Sequence, residues 1–224
     1  MNLNHLLYPK KSHRKDISFP SDTIALAEFL GIVFGDGGIN NDWQLVISLN
    51  SKLDLEYSKY ILNLVKKLFT FDAIARKRKN ENTLDIVASS TSLVEFLISK
   101  GTARGNKILN KINIPKWIGK NNDYCKAFVR GLVDTDGCLY IHRHKIKKSI
   151  YINIGFCFTS YSPEIISSVA KILSENKIIP HMDNKNQRIY LYKEAAVIKY
   201  LTIFGSSNPR IFNKINKWRD ARAV

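Results

Sequence analysis

One stretch of this chain occurs twice. The first copy is Ala27-Glu28-Phe29-Leu30-Gly31-Ile32-Val33-Phe34-Gly35-Asp36-Gly37, and the second is Ala127-Phe128-Val129-Arg130-Gly131-Leu132-Val133-Asp134-Thr135-Asp136-Gly137. Ala27/Ala127, Gly31/Gly131, Val33/Val133, Asp36/Asp136 and Gly37/Gly137 coincide at one constant offset. A fixed period limits architecture before any local reading. A period of about a hundred residues is too long for a solenoid repeat and suits two fused half-domains.

Each copy is mostly apolar and ends in Asp-Gly, so it reads as a buried helix with a glycine stop. A small residue recurs at every fourth position: Ala27, Gly31 and Gly35, then Ala127, Gly131 and Thr135. On a helix these positions form one bare stripe, which lets two backbones approach closely. A mid-helix glycine costs about 1 kcal/mol relative to alanine, so close packing is the natural account of Gly31 and Gly131. Packing the stripes on each other about a pseudo-twofold axis brings Asp36 and Asp136 together at the helix ends. Two juxtaposed carboxylates share a proton or hold a divalent cation.

The two copies resemble the paired signature motifs of LAGLIDADG homing endonucleases. The resemblance implies two αββαββα halves of α+β class, packed through the motif helices, with antiparallel sheets forming a DNA-binding saddle. It also implies that Asp36 and Asp136 bind the catalytic metal, with the preceding Gly35 and Thr135 as further metal-site candidates. The second copy fits the motif well, with Gly131, Asp134, Asp136 and Gly137 in place. The first carries Phe34 in place of an earlier, noncatalytic acid and Gly35 in place of alanine.

The formal net charge of +16 calls for a polyanion or an anionic surface as partner, and nucleic acid is the commoner one. Hydrophobic residues make up 45% of the chain, as expected for a globular protein. No apolar run reaches the ~20 residues of a membrane span. Cys125, Cys138 and Cys157 form no CxxC and read as reduced intracellular thiols. Residues 1–20 form a basic leader with no apolar stretch after its charges, not a secretory signal. Its role is open between an arm over phosphates and a disordered tail. The expected location is intracellular: cytoplasm, nucleoid or organelle matrix.

The leader is followed by an N-terminal half over 21–118 and a C-terminal half over 119–224. Ser21 or Asp22 is the expected cap of the first motif helix, and Asn122 or Asp123 that of the second. The first half continues as a strand at Trp43–Leu49, a helix at Asp54–Phe69, a hairpin at 73–88 and a helix at Ser90–Lys100. The second half repeats this plan with strands at Leu139–Lys148 and Ser149–Thr159, a helix from Pro163, and a hairpin from Ile178 to Tyr192. Residues 206–224 read as a basic end. No Gly/Ser linker separates the halves, which argues for one shared core.

Hard oxygen ligands point to Mg²⁺. By family resemblance Mn²⁺ substitutes, and Ca²⁺ binds without supporting efficient cleavage. The resemblance implies one scissile phosphate per half, cut across the minor groove. The family's lysine before the second motif helix is best matched by Lys107; Arg210 or Lys214 is the counterpart in the second half, each against the plain alternative of an ordinary phosphate contact. Gln44 is a candidate for positioning a water or touching a base. A two-stranded ribbon fits the major groove. Alternate residues share a face, so either Arg76/Arg78 or Lys77/Lys79 faces DNA in the first half, and either His142/His144 or Arg143/Lys145 in the second. Lys147, Lys148, Arg188 and the turn residues Asn80, Asn82, Asn184, Lys185, Asn186 and Gln187 complete the DNA-binding candidates. The arginine between His142 and His144, without a nearby cysteine, argues against zinc. Asp134 is expected to cap or pair at the helix end.

These features give a monomeric homing endonuclease making a divalent-metal-dependent double-strand break in a long asymmetric duplex. The alternative is an RNA maturase, with intron RNA as partner, or a non-cleaving DNA-binding protein. The chain shows no terminal Cys or Ser and no final His-Asn, so a free-standing or intron-encoded enzyme is expected rather than an intein.

Overall fold

The computed structural model describes residues 13–147 and 149–222. An αββαββα order runs through it twice. The first run is α1 (Ile24–Gly35), β1 (Gly37–Asn41), β2 (Gln44–Asn50), α2 (Leu55–Phe69), β3 (Ile74–Lys77), β4 (Thr83–Ser89) and α3 (Thr91–Ser99). After the short α4 (Lys116–Gly119), the second run is α5 (Asn122–Asp136), β5 (Gly137–Ile146), β6 (Ser149–Thr159), α6 (Pro163–Glu175), β7 (His181–Met182), β8 (Arg188–Leu191) and α7 (Glu194–Ile203). A final helix, α8 (Pro209–Arg222), follows. The two antiparallel sheets have matching orders, β1-β2-β4-β3 and β5-β6-β8-β7.

The duplicated stretches are α1 and α5, and their glycines do what the bare stripe requires. A Cβ placed on Gly31 would lie 2.1 Å from the Phe128 carbonyl oxygen; one on Gly131 would lie 2.2 Å from that of Glu28. The two clashes are related by the offset of the repeat, so the helix pair has the pseudo-twofold symmetry that the sequence implies. Backbone touches backbone, and only glycine fits there.

The glycines after the aspartates serve a different purpose from the expected stop. Gly137 is extended, at φ −93°, rather than left-handed. A side chain at Gly37 or Gly137 would run into the carbonyl of Val33 or Val133, at 2.5 and 2.4 Å. The chain leaves each helix directly into a strand that folds back on its last turn.

Each sheet packs one face on helices. Leu45, Ile47 and Leu49 of β2 and Leu84, Ile86 and Ala88 of β4 are buried, while their alternates are half-buried. One hydrophobic cluster runs through both repeats. Among the described residues no helix is long and apolar enough to cross a membrane, and the three cysteines are free thiols.

The sequence reading needs four local corrections. Thr23 caps α1, its hydroxyl accepting from Leu26 N at 3.2 Å, while Asp22 pairs with Lys100. Asn121 caps α5 by accepting from Asp123 N and Tyr124 N. The basic end is the helix α8, seated by Ile211, Ile215 and Trp218. The part of the leader from His13 onward is docked: His13 stacks on Trp43, Arg14 pairs with Glu95 and Ile17 is buried. Residues 1–12 of that leader, and Lys148, lie outside the described residues.

Candidate metal centre and nucleic-acid surface

Asp36 follows α1 as its C-cap, with its N–H donating to Ile32 O. Asp136 is the last residue of α5. The stripe that joins the helices also joins these ends, because a Cβ on Gly35 would lie 2.0 Å from Thr135 Oγ1 and 3.1 Å from Asp136 Oδ2. Burial, then the charges of Asp136 and Asp54, push Asp36 up to about 7 against the pull of Lys107 and Arg210. Asp136, the more exposed of the two, is pushed up less, to about 6, by burial opposed by Lys107. The two carboxylates titrate as a coupled pair, and a charge on one helps keep the proton on the other.

Lys107 lies between these carboxylates and the end of α1. Its Nζ donates to Phe34 O at 2.8 Å, Gly35 O at 2.5 Å and Val33 O at 3.3 Å. A cation on the last carbonyls of a helix meets both the orphan acceptors and the negative end of the dipole. The Gly35 carbonyl is thus already engaged. The Thr135 hydroxyl donates to the Gly131 and Leu132 carbonyls of its own helix.

Two clefts flank the pair. One, of about 280 Å³, is lined by Lys107, Asp136, Thr159 and Tyr161 among others. The other, of about 510 Å³, carries Arg210 and Lys214 together with Lys52 and Lys217, beside Gly137. Both second-half candidates therefore share one cationic cleft, with two lysines that the sequence reading passed over. Gln44 stands apart. Ser48 N donates to Asp36 O at 3.1 Å, and Gln44 is four residues further along β2, about 13 Å at strand rise, where it bonds Ser89.

Several buried polar residues lie behind the site, and of these the sequence singles out only Asp134. Asp54 is 5% exposed, and it pairs with Arg210 Nη1 at 3.5 Å and with Asn208 Nδ2 at 3.0 Å. Asn208 also donates to Asp134 O at 2.9 Å and accepts from Arg210 N at 3.0 Å. One amide thus ties α5, α8 and the start of α2 together. Asp134 is buried and accepts from Ser206 Oγ at 2.5 Å and Ser207 N at 2.6 Å. Burial nevertheless pushes it up to about 7. Glu28 pairs with Arg130 and accepts from Tyr60 and Ser207 hydroxyls. At the symmetry-related place, Phe34 packs edge-on against Phe128. The departure at Phe34 is therefore half of an exchange: an apolar contact on one side of the axis, a hydrogen-bonded acid on the other.

The remaining candidates sort by strand register, since directly opposed residues share a face. Arg76 pairs with Asp85 and lies on the helix-free face; Lys77 pairs with buried Leu84 and lies on the other. Arg78 joins Asp85 through Nε at 2.7 Å. Arg143 and Lys145 alternate with Leu139 and Ile141 on the helix side of β5, leaving His142 and His144 on the helix-free face. Arg188 shares the helix-free face with Tyr190. Lys79, Asn80 and Asn82 fall in the exposed β3–β4 turn, and Asn184, Lys185, Asn186 and Gln187 in the β7–β8 turn. Lys147 begins the β5–β6 turn. Asn80, Lys147 and Asn186 have positive φ; asparagine tolerates that region better than most residues.

Two carboxylates at an open helix junction, next to a cationic cleft, fit a hard divalent cation that completes its shell with water and phosphate. Among the described residues no third His, Cys, Asp or Glu is placed to join them. That donor count suits Mg²⁺ or Mn²⁺ with substrate better than an all-protein cage.

The shifts of Asp36, Asp134 and Asp136 set a sign. Their folded values lie above the unfolded value of 3.8. The folded state therefore holds protons that the unfolded state has released, and stability falls as pH rises from about 4 to about 7. The metal-free protein is expected to melt at a lower temperature at pH 8 than at pH 5.5. Added Ca²⁺ or Mg²⁺ should recover more of the loss at pH 8, where the pair is ionised. Thermal melts with EDTA and with either cation check both slopes; a metal effect independent of pH contradicts carboxylate binding.

Residues 123–216 match a sequence family described as LAGLIDADG-like domain. The chain is 28% identical over 201 residues to the Replication factor C small subunit of Methanocaldococcus jannaschii, covering 83% of this chain and 10% of that protein. Among solved structures, the I-LtrWI LAGLIDADG homing endonuclease bound to target DNA superposes with a TM-score of 0.58 at 13% identity, covering 90% of this chain and 92% of that one. I-DmoI in complex with DNA and Ca gives 0.54 at 18%, covering 82% and 91%. Full-length DUF199/WhiA from Thermatoga maritima gives 0.57 at 16%, covering 92% and 64%. At these identities the structural likeness carries the fold.

Proposed function

We propose that this chain is a LAGLIDADG homing endonuclease that cuts both strands of a long asymmetric DNA duplex with a divalent metal. One observation carries the reading: both repeats keep their helix-end aspartate, and the close packing at Gly31 and Gly131 brings the two carboxylates together. A structural pair would gain nothing from such crowding, which makes ionisation costly. A cation site gains affinity from it.

Asp36 and Asp136 would hold the metal. A bound divalent cation supplies an activated water and stabilises the oxygen that leaves the phosphorus. The chain's own residues do the rest. Lys107, fixed on the α1 carbonyls, keeps a positive charge beside both carboxylates and limits their repulsion. Arg210 and Lys214, with Lys52 and Lys217, line the cleft that would receive a phosphate on the α8 side. Asp54 and Asn208 orient Arg210 from behind. The helix-free faces of the two sheets would meet the duplex, with Arg76 and Arg78 on one and Arg188 on the other. The halves 21–118 and 119–224 differ in these residues, so an asymmetric target follows. Homing endonucleases of this fold have been seen with DNA and Ca or Mn, which supports Mg²⁺ or Mn²⁺ as the working ion. We take the protein to act as a monomer inside the cell.

The second reading is a protein that binds duplex DNA without cutting it, or an intron-RNA maturase. The occurrence of the same fold in WhiA, which is not named as an endonuclease, favours keeping the first of these. Incubation of a randomised duplex library with Mg²⁺, with capture and sequencing of cut ends, separates the readings. A recurrent cut site is expected. An enriched bound sequence with intact ends would move the protein to the binding class.

A further inference from the structure

The helix-free faces of the two sheets differ in kind. In the first sheet the face bears Val46, Ser48, Asp85, Val87 and Arg76, and no aromatic ring. In the second it is a contiguous aromatic surface. Tyr190 and Tyr192 stack with ring centres 5.3 Å apart and 8° between planes. His181 lies 5.4 Å from Tyr192, and Tyr140 lies 4.7 Å from His142, edge to face. The two groups meet through Tyr140. Gly155 opposes Tyr140 on one side, and Phe156 opposes Leu191 on the other, so Tyr140 and Tyr192 flank β6 on one face.

Gly155 makes room for the Tyr140 ring. It is the register partner of Tyr140, and a Cβ there would lie 2.4 Å from Tyr140 Cζ. The phenol end of Tyr140 therefore rests on the bare backbone of the neighbouring strand. Tyr192 is 56% exposed. Arg188 is exposed on the same face, two residues before Tyr190 on β8.

Such rings are poorly suited to a paired duplex. Base pairs show a groove only their edges, while their faces are taken up by stacking. A cluster of tyrosines beside a cation suits bases whose faces are free. Stacking platforms with nearby positive charge are the common means of holding single strands. The net charge of +16 supplies the attraction for the backbone.

We infer that the helix-free face of the C-terminal sheet binds unpaired nucleotides by stacking them on Tyr140, Tyr190 and Tyr192, with Arg188 beside them. The inference uses the same sheet face, with Arg188, that the proposed function gives to the duplex, and it requires neither metal nor cleavage.

The test uses the full chain in EDTA. Its probes are a 15-nucleotide mixed-sequence DNA carrying 2-aminopurine, the RNA of the same sequence, and the DNA annealed to its complement. The wild type is expected to bind the single strand and quench its 2-aminopurine. Tyr190→Ala with Tyr192→Ala should weaken single-strand binding by about tenfold or more, and duplex binding by less than about twofold. Tyr190→Phe with Tyr192→Phe should retain both binding and quenching, since stacking needs the ring and not the hydroxyl. Tyr192→Ala alone removes a mostly exposed ring and guards against loss of folding. Preference for RNA over DNA would place the contact partly at the 2′-hydroxyl; equal binding would assign it to bases alone. Single-strand affinity that ignores the ring deletions overturns the inference. So does an equal loss on duplex and single strand, which would make the rings duplex contacts.

Discussion

Replacing either Asp36 or Asp136 with asparagine is expected to lower double-strand cleavage about a thousandfold or more, with DNA affinity unchanged or improved. The fold-change follows from removing a charged ligand on which several kcal/mol of transition-state stabilisation depend. The affinity follows from sign: each substitution takes a negative charge from the surface proposed to meet a polyanion. Stability adds a readout that a merely structural role would not give. Asp36 is raised by its neighbours Asp136 and Asp54, so neutralising one carboxylate relieves the others. Both variants should melt at or above the wild-type temperature at pH 8 in EDTA and lose the stabilisation that Ca²⁺ gives the wild type. Cleavage assays, binding isotherms and melts on the same preparations check all three. A variant that cuts normally, or one that unfolds, would leave these residues with a structural role.

The second large effect belongs to the helix pair. Gly31→Ala and Gly131→Ala each place a methyl group 2.1 or 2.2 Å from a backbone carbonyl oxygen. Helix propensity alone favours alanine by about 1 kcal/mol. The clash opposes it, and backbone on both sides cannot swing away as a side chain would. Overpacking of this kind costs about 3 kcal/mol or more, so overpacking wins by about 2 kcal/mol and the melting temperature should drop by roughly 4–8 °C. Gly119→Ala is the control, because nothing lies within 4 Å of a Cβ built there. Stabilisation by Gly31→Ala would mean that the helices are not in backbone contact.

The helix pair and the paired aspartates were readable in the sequence because the information is local and repeated. Gly31, Gly35 and Asp36 recur in type or place at Gly131, Thr135 and Asp136, and helical spacing alone turns them into one stripe. The α8 helix was also written there, since Ile211, Ile215 and Trp218 fall at helical spacing. Its many basic residues hid the stripe by suggesting a tail. The cap of α1 was misplaced by one or two positions because Ser21, Asp22 and Thr23 all carry capping oxygens, and only the backbone path selects among them.

What could not be read is long-range. Asp54 looked like the start of a helix, which it is, but its approach to Arg210 joins residues far apart in sequence. Asn208 has no local signal; its amide matters because α5, α8 and the start of α2 converge on it. The pair Glu28–Arg130 left a faint trace, as charges within otherwise apolar helices, which require partners when buried. The choice between Arg143 and His142 for the helix-free face needed the strand register, because a shift of one residue exchanges the faces. Gln44 needed the strand pairing as well, since an antiparallel return sets Ser48, not Gln44, beside Asp36.

The central claim is that Asp36 and Asp136 together hold a divalent cation. The most direct measurement is Mn²⁺ binding to the protein–DNA complex at pH 8, followed by the loss of the free-ion EPR signal, in the wild type, Asp36→Asn and Asp136→Asn. Tight Mn²⁺ binding by the wild type, weakened at least tenfold in both variants, is the predicted result. Binding of the same tightness in all three would contradict it and leave the paired carboxylates as a folding feature of the helix junction.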